Sequence, residues 1–473
     1  MNEITTMKNQ HRSAFILLAW AIPVFAQPEV EFMRHYNTGR HDNFLDIYAL
    51  ANGGYVMCGI ASESDRGDGD LYVVKADDRG DQIWSRTYDV NDNGYLNSII
   101  ETDDGDLITA GTAVGQFHAL RISPDGELRW RLDFDQGECQ AVIELKDGRL
   151  LLAGRNSARV PYDSRVICIN GGGEVQWDRT YDQIRNSVFY GLRETDGGCV
   201  AAGHGMVEDR NSIFPWVVKL RLDDGDAIWT HHYIEGGTQM IVKGMMSAGD
   251  GGFVIIGTWM DGRLAGTLKI DGDGNEVWRR VYEDLSTYLS LQGIVRTRDM
   301  GFALTGMLLR VNDNLELHRP AIVRIASDGV ERWHAFYDVE TAEGFRIGWS
   351  NFMSIVVNQN DELIGAGTVA TTEPDSTYDG FLMKLQPDLL GPRFIRISPE
   401  DTVLTTLVGS EIEFKAVAVS DFFRDLEYTW TFDDSSEGIQ VQDDTLAVAQ
   451  FDSLGEHTVE CHISDPDGTV SIR

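Results

Sequence analysis

Basic residues are scarce. The 473-residue chain carries 40 Lys and Arg against 75 Asp and Glu, a formal net charge of −35. A surface of that sign repels phosphate backbones and anionic headgroups, which argues against nucleic acid and acidic membranes as partners. Cysteine is scarce too. The five residues Cys58, Cys139, Cys168, Cys199 and Cys461 are odd in number and share no spacing. A disulfide framework is therefore not expected. Cys58, Cys168 and Cys199 lie in apolar runs and read as small buried hydrophobes. The chain has no H-E-x-x-H, C-x-x-C, G-x-S-x-G or phosphate-binding glycine loop. The signatures of several metal, redox, acyl-transfer and nucleotide enzymes are thus missing. No cofactor and no metal are implied. There is also no Asn-x-Ser/Thr sequon, which suits a bacterial source better than a glycosylated eukaryotic one.

Beyond residue 26 no apolar run is long enough to cross a bilayer. The first 26 residues read as a signal peptide. Lys8 and Arg12 precede the apolar stretch Ala14–Ala26, which ends in Val24-Phe25-Ala26 before Gln27. Thirteen apolar residues are too few for an anchor, and no Cys follows the cleavage site, so a lipoprotein is not expected. Removing residues 1–26 takes away Lys8, Arg12 and Glu3 and leaves a net charge of −36. The expected location is outside the cytoplasm: extracellular, cell-surface or periplasmic.

What the chain has in quantity is glycine, 49 residues, and a repeat. One module is a Gly, a short apolar run and a closing Gly, as in "GGYVMCG", "GDLITAG", "GRLLLAG", "GGCVAAG" and "GGFVIIG". "MGFALTG" and "DELIGAG" are looser copies. The closing glycines are Gly59, Gly111, Gly154, Gly203, Gly257, Gly306 and Gly367, spaced 43 to 61 residues apart. A second module follows: a strand, a polar turn, then Trp with an aromatic four residues on. The pairs are Trp84/Tyr88, Trp130/Phe134, Trp177/Tyr181, Trp229/Tyr233, Trp278/Tyr282 and Trp333/Tyr337. Residues i and i+4 share one face of a strand, so each pair offers two rings to one side.

Each repeat reads as four short strands, A to D. In the first they are Phe44–Ala51, Tyr55–Ile60, Asp70–Ala76 and Gln82–Tyr88. Four strands in about 40–50 residues is the period of a β-propeller. "DGDGNEVWRRVY" (Asp271–Tyr282) fits half of an EF-hand loop, but Glu276 stands in the Gly position and Tyr282 in the Glu position. It occupies the place of the other Asp/Asn/Gly turns before each Trp, so it reads as a turn. The seventh repeat has no Trp strand after it. "VEFMRHY" near the N-terminus supplies one, with Phe32 in the Trp position and Tyr36 four residues on. The expected fold is all-β: a seven-bladed propeller over residues 27–388, closed by an N-terminal strand that leaves no bare sheet edge.

The A–B and C–D turns are short and alike, whereas the B–C and D–A loops vary. Met307–Pro320 reads as the longest B–C loop. Variable loops on one face of a rigid scaffold commonly carry function. They hold Arg40, His41, Arg66, Arg155, Tyr162, His204, Arg210, Trp259, His318, Arg346, Trp349 and Tyr378. A cationic and aromatic set on an acidic chain suggests a ligand site. Arg66, Arg155, His204, Arg210, Trp259, Arg346 and Trp349 are the expected ligand-binding residues, with Arg and Trp as anchors. No catalytic residues are nominated.

After a linker at 389–398 the pattern changes. "LEYTWTFDD" and "GEHTVECHISDPDG" are alternating strands, with Trp430 and Cys461 near the inter-sheet Trp and second Cys positions of an immunoglobulin sandwich. Phe414 stands near the place of the first Cys. Residues 399–473 are short of a final strand and read as a domain that continues beyond Arg473.

Residues 28–388 resemble secreted bacterial propellers built from "GGYIVAG…W-x-K-x-Y" repeats, in fold terms the quinoprotein dehydrogenase-like and kelch-like propellers. "YTWTFDD" and "GEHTVECHISDPDG" resemble the PKD type of immunoglobulin-like domain. Thr431 and Asp433 replace its usual Asp and Gly, and His457 its Tyr. The quinoprotein enzymes imply vicinal cysteines, a calcium held by Glu, Asn and Asp, and usually eight blades, none of which matches this sequence. "SPDGELRW" (Ser123–Trp130) resembles a sialidase Asp-box with its Gly displaced by one, which makes a glycoside hydrolase the alternative. The favoured reading is an exported, non-enzymatic protein presenting a protein- or glycan-binding face.

Overall fold

The computed structural model describes residues 13–17, the strand residues between 393 and 472, and residues 28–386. Within 28–386 it leaves aside 64–68, 90–92, 159, 207–211, 235–238, 260–263, 283–287, 313–314, 340–348 and 371–377. Every described element is a strand, and no helix is long and apolar enough to cross a membrane. The chain divides into two units. One is Gln27–Pro387; the other joins Met1–Ala26 to Asp388–Arg473.

Among the described residues, the larger unit holds seven antiparallel arrays of four strands. The first is His41–Ala49, Tyr55–Ser62, Gly69–Ala76 and Gln82–Tyr88, in that order across the sheet. The second and third share one uninterrupted strand, Leu128–Glu144. It is strand D of the second array at its start and strand A of the third at its end. In the last array Ser350–Val357, Leu363–Ala370 and Tyr378–Leu385 are joined by Val30–Tyr36, which pairs with Tyr378–Leu385. Each A strand packs on the A strand of the next array, and Ser350–Val357 packs on His41–Ala49. A core of Tyr36, Phe44, Tyr72, Ile364 and Leu382 spans that junction. Strand B is buried on both faces in most repeats, as its unbroken apolar runs require.

The closing glycines have a specific cause. Strand A bulges opposite each one, skipping a residue between Phe44 and Asp46, Leu96 and Ser98, Cys139 and Ala141, and likewise in the other four. The bulge folds a strand-A carbonyl over the facing residue. A Cβ on Gly59 would lie 1.8 Å from the Asn43 carbonyl oxygen, and one on Gly203 1.8 Å from that of Val188. Only glycine fits there.

The Trp and Tyr of strand D stitch one repeat to the next. Trp84, Trp130 and Trp177 donate their indole N–H to the carbonyls of Pro124, Gly171 and Leu222 in the following C–D turn. The hydroxyls of Tyr36, Tyr88, Tyr181, Tyr233 and Tyr282 donate to the carbonyls of Gly80, Gly126, Gly225, Gly274 and Gly329. Those glycines have positive φ, from 74° to 87°. Tyr337 closes the series on the Pro28 carbonyl, just ahead of Val30–Tyr36. A second seam runs along the A–B turns. Glu101, Glu144 and Glu194 accept the backbone N–H of Ala51, Asp103 and Lys146 from the preceding repeat. Tyr181→Phe is expected to cost about 1–2 kcal/mol, because the buried Gly225 carbonyl loses its donor. A urea melt unchanged by the substitution would contradict the stitch.

The Asp271–Tyr282 stretch is a hairpin turn at 271–275 followed by the strand Glu276–Tyr282. Asp271 Oδ1 accepts the N–H groups of Asp273 (3.0 Å) and Asn275 (2.8 Å), and Oδ2 accepts from the Asn275 side chain (2.9 Å). Cys58, Cys139, Cys168 and Cys199 are buried free thiols, and burial pushes each of them up.

In the smaller unit, Arg393–Ser398, Glu411–Val419, Leu446–Phe451 and Ser436–Asp443 form one sheet, and Glu427–Phe432, Val459–Asp465 and Gly468–Ile472 another. Trp430 stands opposite Cys461 in the second. Ser13–Leu17, inside the stretch read as a leader, pairs with Val403–Leu407.

Candidate functional site

The bulges do more than demand glycine. Each breaks the alternation of strand A and turns its skipped residue into the space enclosed by the A strands. Asn97, Gln140, Tyr190, Lys243 and Gln292, with Leu45 and Met353, line a channel of about 750 Å³ to which all seven repeats contribute. The wall mixes polar and apolar side chains, and it carries charge.

Asp46 sits half-buried in that wall. Its carboxylate accepts the Ser354 hydroxyl (2.7 Å) and the Ile99 N–H (3.0 Å), from the repeats on either side. Burial raises its pKa to about 6, and these hydrogen bonds only partly oppose the shift. A raised carboxyl pKa means that the folded state holds the proton more tightly than the unfolded chain. Asp46 therefore weakens the fold above pH 6, and the loss is recovered as the pH falls from 6 towards 4. A carbon-detected NMR titration, with Asp46→Asn to identify the resonance, is expected to give a midpoint near 6. A midpoint near 4 would show an open, well-hydrated wall.

The cations in and beside the channel differ in their partners. Arg193 donates to the Leu192 carbonyl (2.7 Å), and burial lowers its pKa. Arg155 pairs with Glu138 at 2.5 Å, and its guanidinium lies 4.6 Å from the Tyr162 ring centre. Lys243 is lowered by burial, and its ammonium lies 5.5 Å from the Tyr190 ring centre. His204 stacks on Tyr190, centroids 5.4 Å apart. Burial, then the charges of Lys243 and Arg155, bring its pKa down to about 4, so it is neutral at pH 7.

Of the residues expected from the sequence, Arg155 and His204 thus come together beside the channel. Trp349 meets Tyr378 (5.4 Å between centroids) and His318 (6.3 Å), and Tyr378 meets His41 (5.3 Å). Trp349 also lines a second cavity of about 530 Å³. Trp259 is a correction. It ends strand Phe253–Trp259, is only 2% exposed, and belongs to a core with Met240, Tyr233 and Phe253. It cannot anchor an external ligand. Met307–Pro320 is a second correction: it is a long hairpin, Phe302–Asn312 with Leu315–Ile325, because the strands continue past Gly306. The D–A connection is likewise not always a loop, since Leu128–Glu144 passes straight through it. Arg66, Arg210 and Arg346 lie outside the described residues. Sequence reasoning missed Asp46, Tyr190 and Lys243, which lie on strands and not on loops.

A family model described as outer membrane protein assembly factor BamB matches residues 67–240, less than half of the chain. The chain is a β-propeller repeat protein. No curated protein sequence matches it. Among solved structures, the propeller is similar to Sqt1 from Chaetomium thermophilum at 9% identity, covering 90% of this chain and 100% of that one with a TM-score of 0.45. YCF48 from Cyanidioschyzon merolae shares 11% identity over 75% of this chain and 99% of that one, TM-score 0.43. Drosophila Plexin A in complex with Semaphorin 1b shares 9% over 76% and 87%, TM-score 0.41.

Proposed function

We propose that this is an exported binding or scaffold protein that acts without catalysis. The seven arrays form a closed seven-bladed propeller completed by the N-terminal strand, after a signal peptide at 1–26. Residues 399–473 form an immunoglobulin-like domain. The working face is the one that carries the B–C and D–A loops, and the ligand is a protein in the periplasm or at the cell surface. The matched family is described as an outer membrane assembly factor, in keeping with that location.

The observation that carries this reading is the cluster of Arg155, Tyr162, Tyr190, His204 and Lys243 beside the channel, with Trp349 just ahead of the strand Ser350–Val357 and Tyr378 at the start of its own. Aromatic and Arg side chains held by rigid strands are the composition of a binding hot spot. Its polar atoms are not all used within the fold: Arg155 Nε and His204 Nδ1 are buried without a partner. Nothing favours the glycoside hydrolase alternative.

The test is binding of immobilised Gln27–Arg473 to envelope proteins of the source cell and to a glycan array. Tyr162→Ala combined with Trp349→Ala is expected to weaken protein binding at least about tenfold. Equal binding by the double variant would remove this face from consideration. Saturable glycan binding lost in the same variant would replace the protein ligand with a carbohydrate.

A further inference from the structure

Lys243 is the skipped residue of its bulge, so the backbone itself aims this side chain into the channel. Among the described residues no carboxylate pairs with its ammonium. The ammonium lies over the Tyr190 ring. Of the other partly buried lysines of the propeller, Lys384 is matched by Glu362 at 2.8 Å and Lys269 by Asp250, whereas Lys75 donates to the Pro124 carbonyl. An ammonium withdrawn from water without a counter-charge is unfavourable, and an anion seated against it relieves that cost. Beside it, His204 lies nearly parallel to Tyr190, with an interplanar angle of 21° and Nδ1 unpartnered.

We propose that the channel contains a site for an organic monocarboxylate, seated on the Lys243 ammonium and bordered by Tyr190 and His204. It rests on the reading of the propeller as a binding protein and names the chemistry recognised there. One charge is the right number. Lys243 brings one uncompensated positive charge, since Arg155 is neutralised by Glu138 and Arg193 lies within reach of the Asp46 charge. A dianion would add net negative charge to a channel that already holds Asp46, Glu101 and Glu144. The adjoining cavity of about 530 Å³ shares Leu45, Tyr95 and Met353 with the channel and adds Ile60 and Trp349. That lining, contributed by the first, second and seventh repeats, suits an apolar or aromatic body. Two sources carry this chemistry: a free acid, and the C-terminal carboxylate of a peptide that ends in a hydrophobic residue.

The experiment is calorimetric titration of Gln27–Arg473 with phenylacetate, with neutral phenylacetamide, and with a tripeptide Gly-Gly-Phe as free acid and as amide. Phenylacetate is expected to bind at least about tenfold more tightly than phenylacetamide, and Lys243→Met to abolish the difference. Binding of the acid without the tripeptide identifies a free acid; binding of both identifies a peptide end. Lys243→Met is expected to melt no lower than the parent, because an unmatched buried charge is removed; Lys243→Gln gives a second, polar replacement. Equal affinity for acid and amide, unchanged binding by either variant, or no binding of any probe would overturn the proposal. Envelope-protein binding by the parent that is weakened in the Tyr162→Ala and Trp349→Ala double variant, with no carboxylate binding by the parent, would overturn this inference alone and leave the broader reading standing.

Discussion

Gly203→Ala is expected to cost about 3 kcal/mol or more, among the largest effects available to a single methyl group. The new Cβ would lie 1.8 Å from the Val188 carbonyl oxygen and 2.8 Å from the Phe189 Cα. Both are backbone atoms, so no side chain can swing aside. The bulge must flatten or the A–B pairing must slip. Flattening would also draw Tyr190 back from the channel, so the site should change together with the fold. Gly197→Ala is the control. Gly197 has φ of +76° but no heavy atom within 4 Å of the added carbon. It should cost only the left-handed backbone penalty, about 1–2 kcal/mol. Similar losses in urea melts of the two variants would show that the bulge yields readily and that packing does not fix the glycine.

The second large effect is removal of the N-terminal strand. A chain starting at Asn37 leaves Tyr378–Leu385 as a bare edge. It strips the Pro28 carbonyl from Tyr337 and Glu31 from Lys384. It also takes Tyr36 from the core that joins the last array to the first. An unpaired edge of that kind invites association with other chains. The truncated protein is expected to aggregate, or to melt at least about 10 °C below the chain starting at Gln27. A monomer on size exclusion with an unchanged melting temperature would mean that the propeller does not depend on this strand.

Much of this architecture is legible in the sequence, because period-2 patterning and Gly/Asp turns are local signals. Phe32 and Tyr36 repeat the Trp/Tyr spacing, so the place of Val30–Tyr36 could be read from two residues. The closing glycines are equally visible, but their reason is not. A bulge is a relation between two strands, and only the paired register shows it. The channel residues were missed on that account. They do leave a trace: Leu45, Asn97, Gln140, Lys243, Gln292 and Met353 each lie 14 residues before a closing glycine, and Tyr190 lies 13 before its own. Trp259 misled for the opposite reason. It follows Gly257, where a loop was expected, yet strand B continues two residues further and carries the ring into the core. Arg155 and His204 were found because they come directly after their glycines, where the strand reaches the end of the sheet.

One seam differs from the rest. In the second repeat the tyrosine position is Phe134, which has no hydroxyl to offer the following turn. That is the junction crossed by the unbroken strand Leu128–Glu144. Elsewhere two neighbouring repeats can part by losing side-chain bonds while the connecting loop slackens. Here separation requires tearing a strand that both sheets share. Under load or heat these two repeats should therefore behave as one double-sized block. The arrays would part at a different junction and separate from this block last.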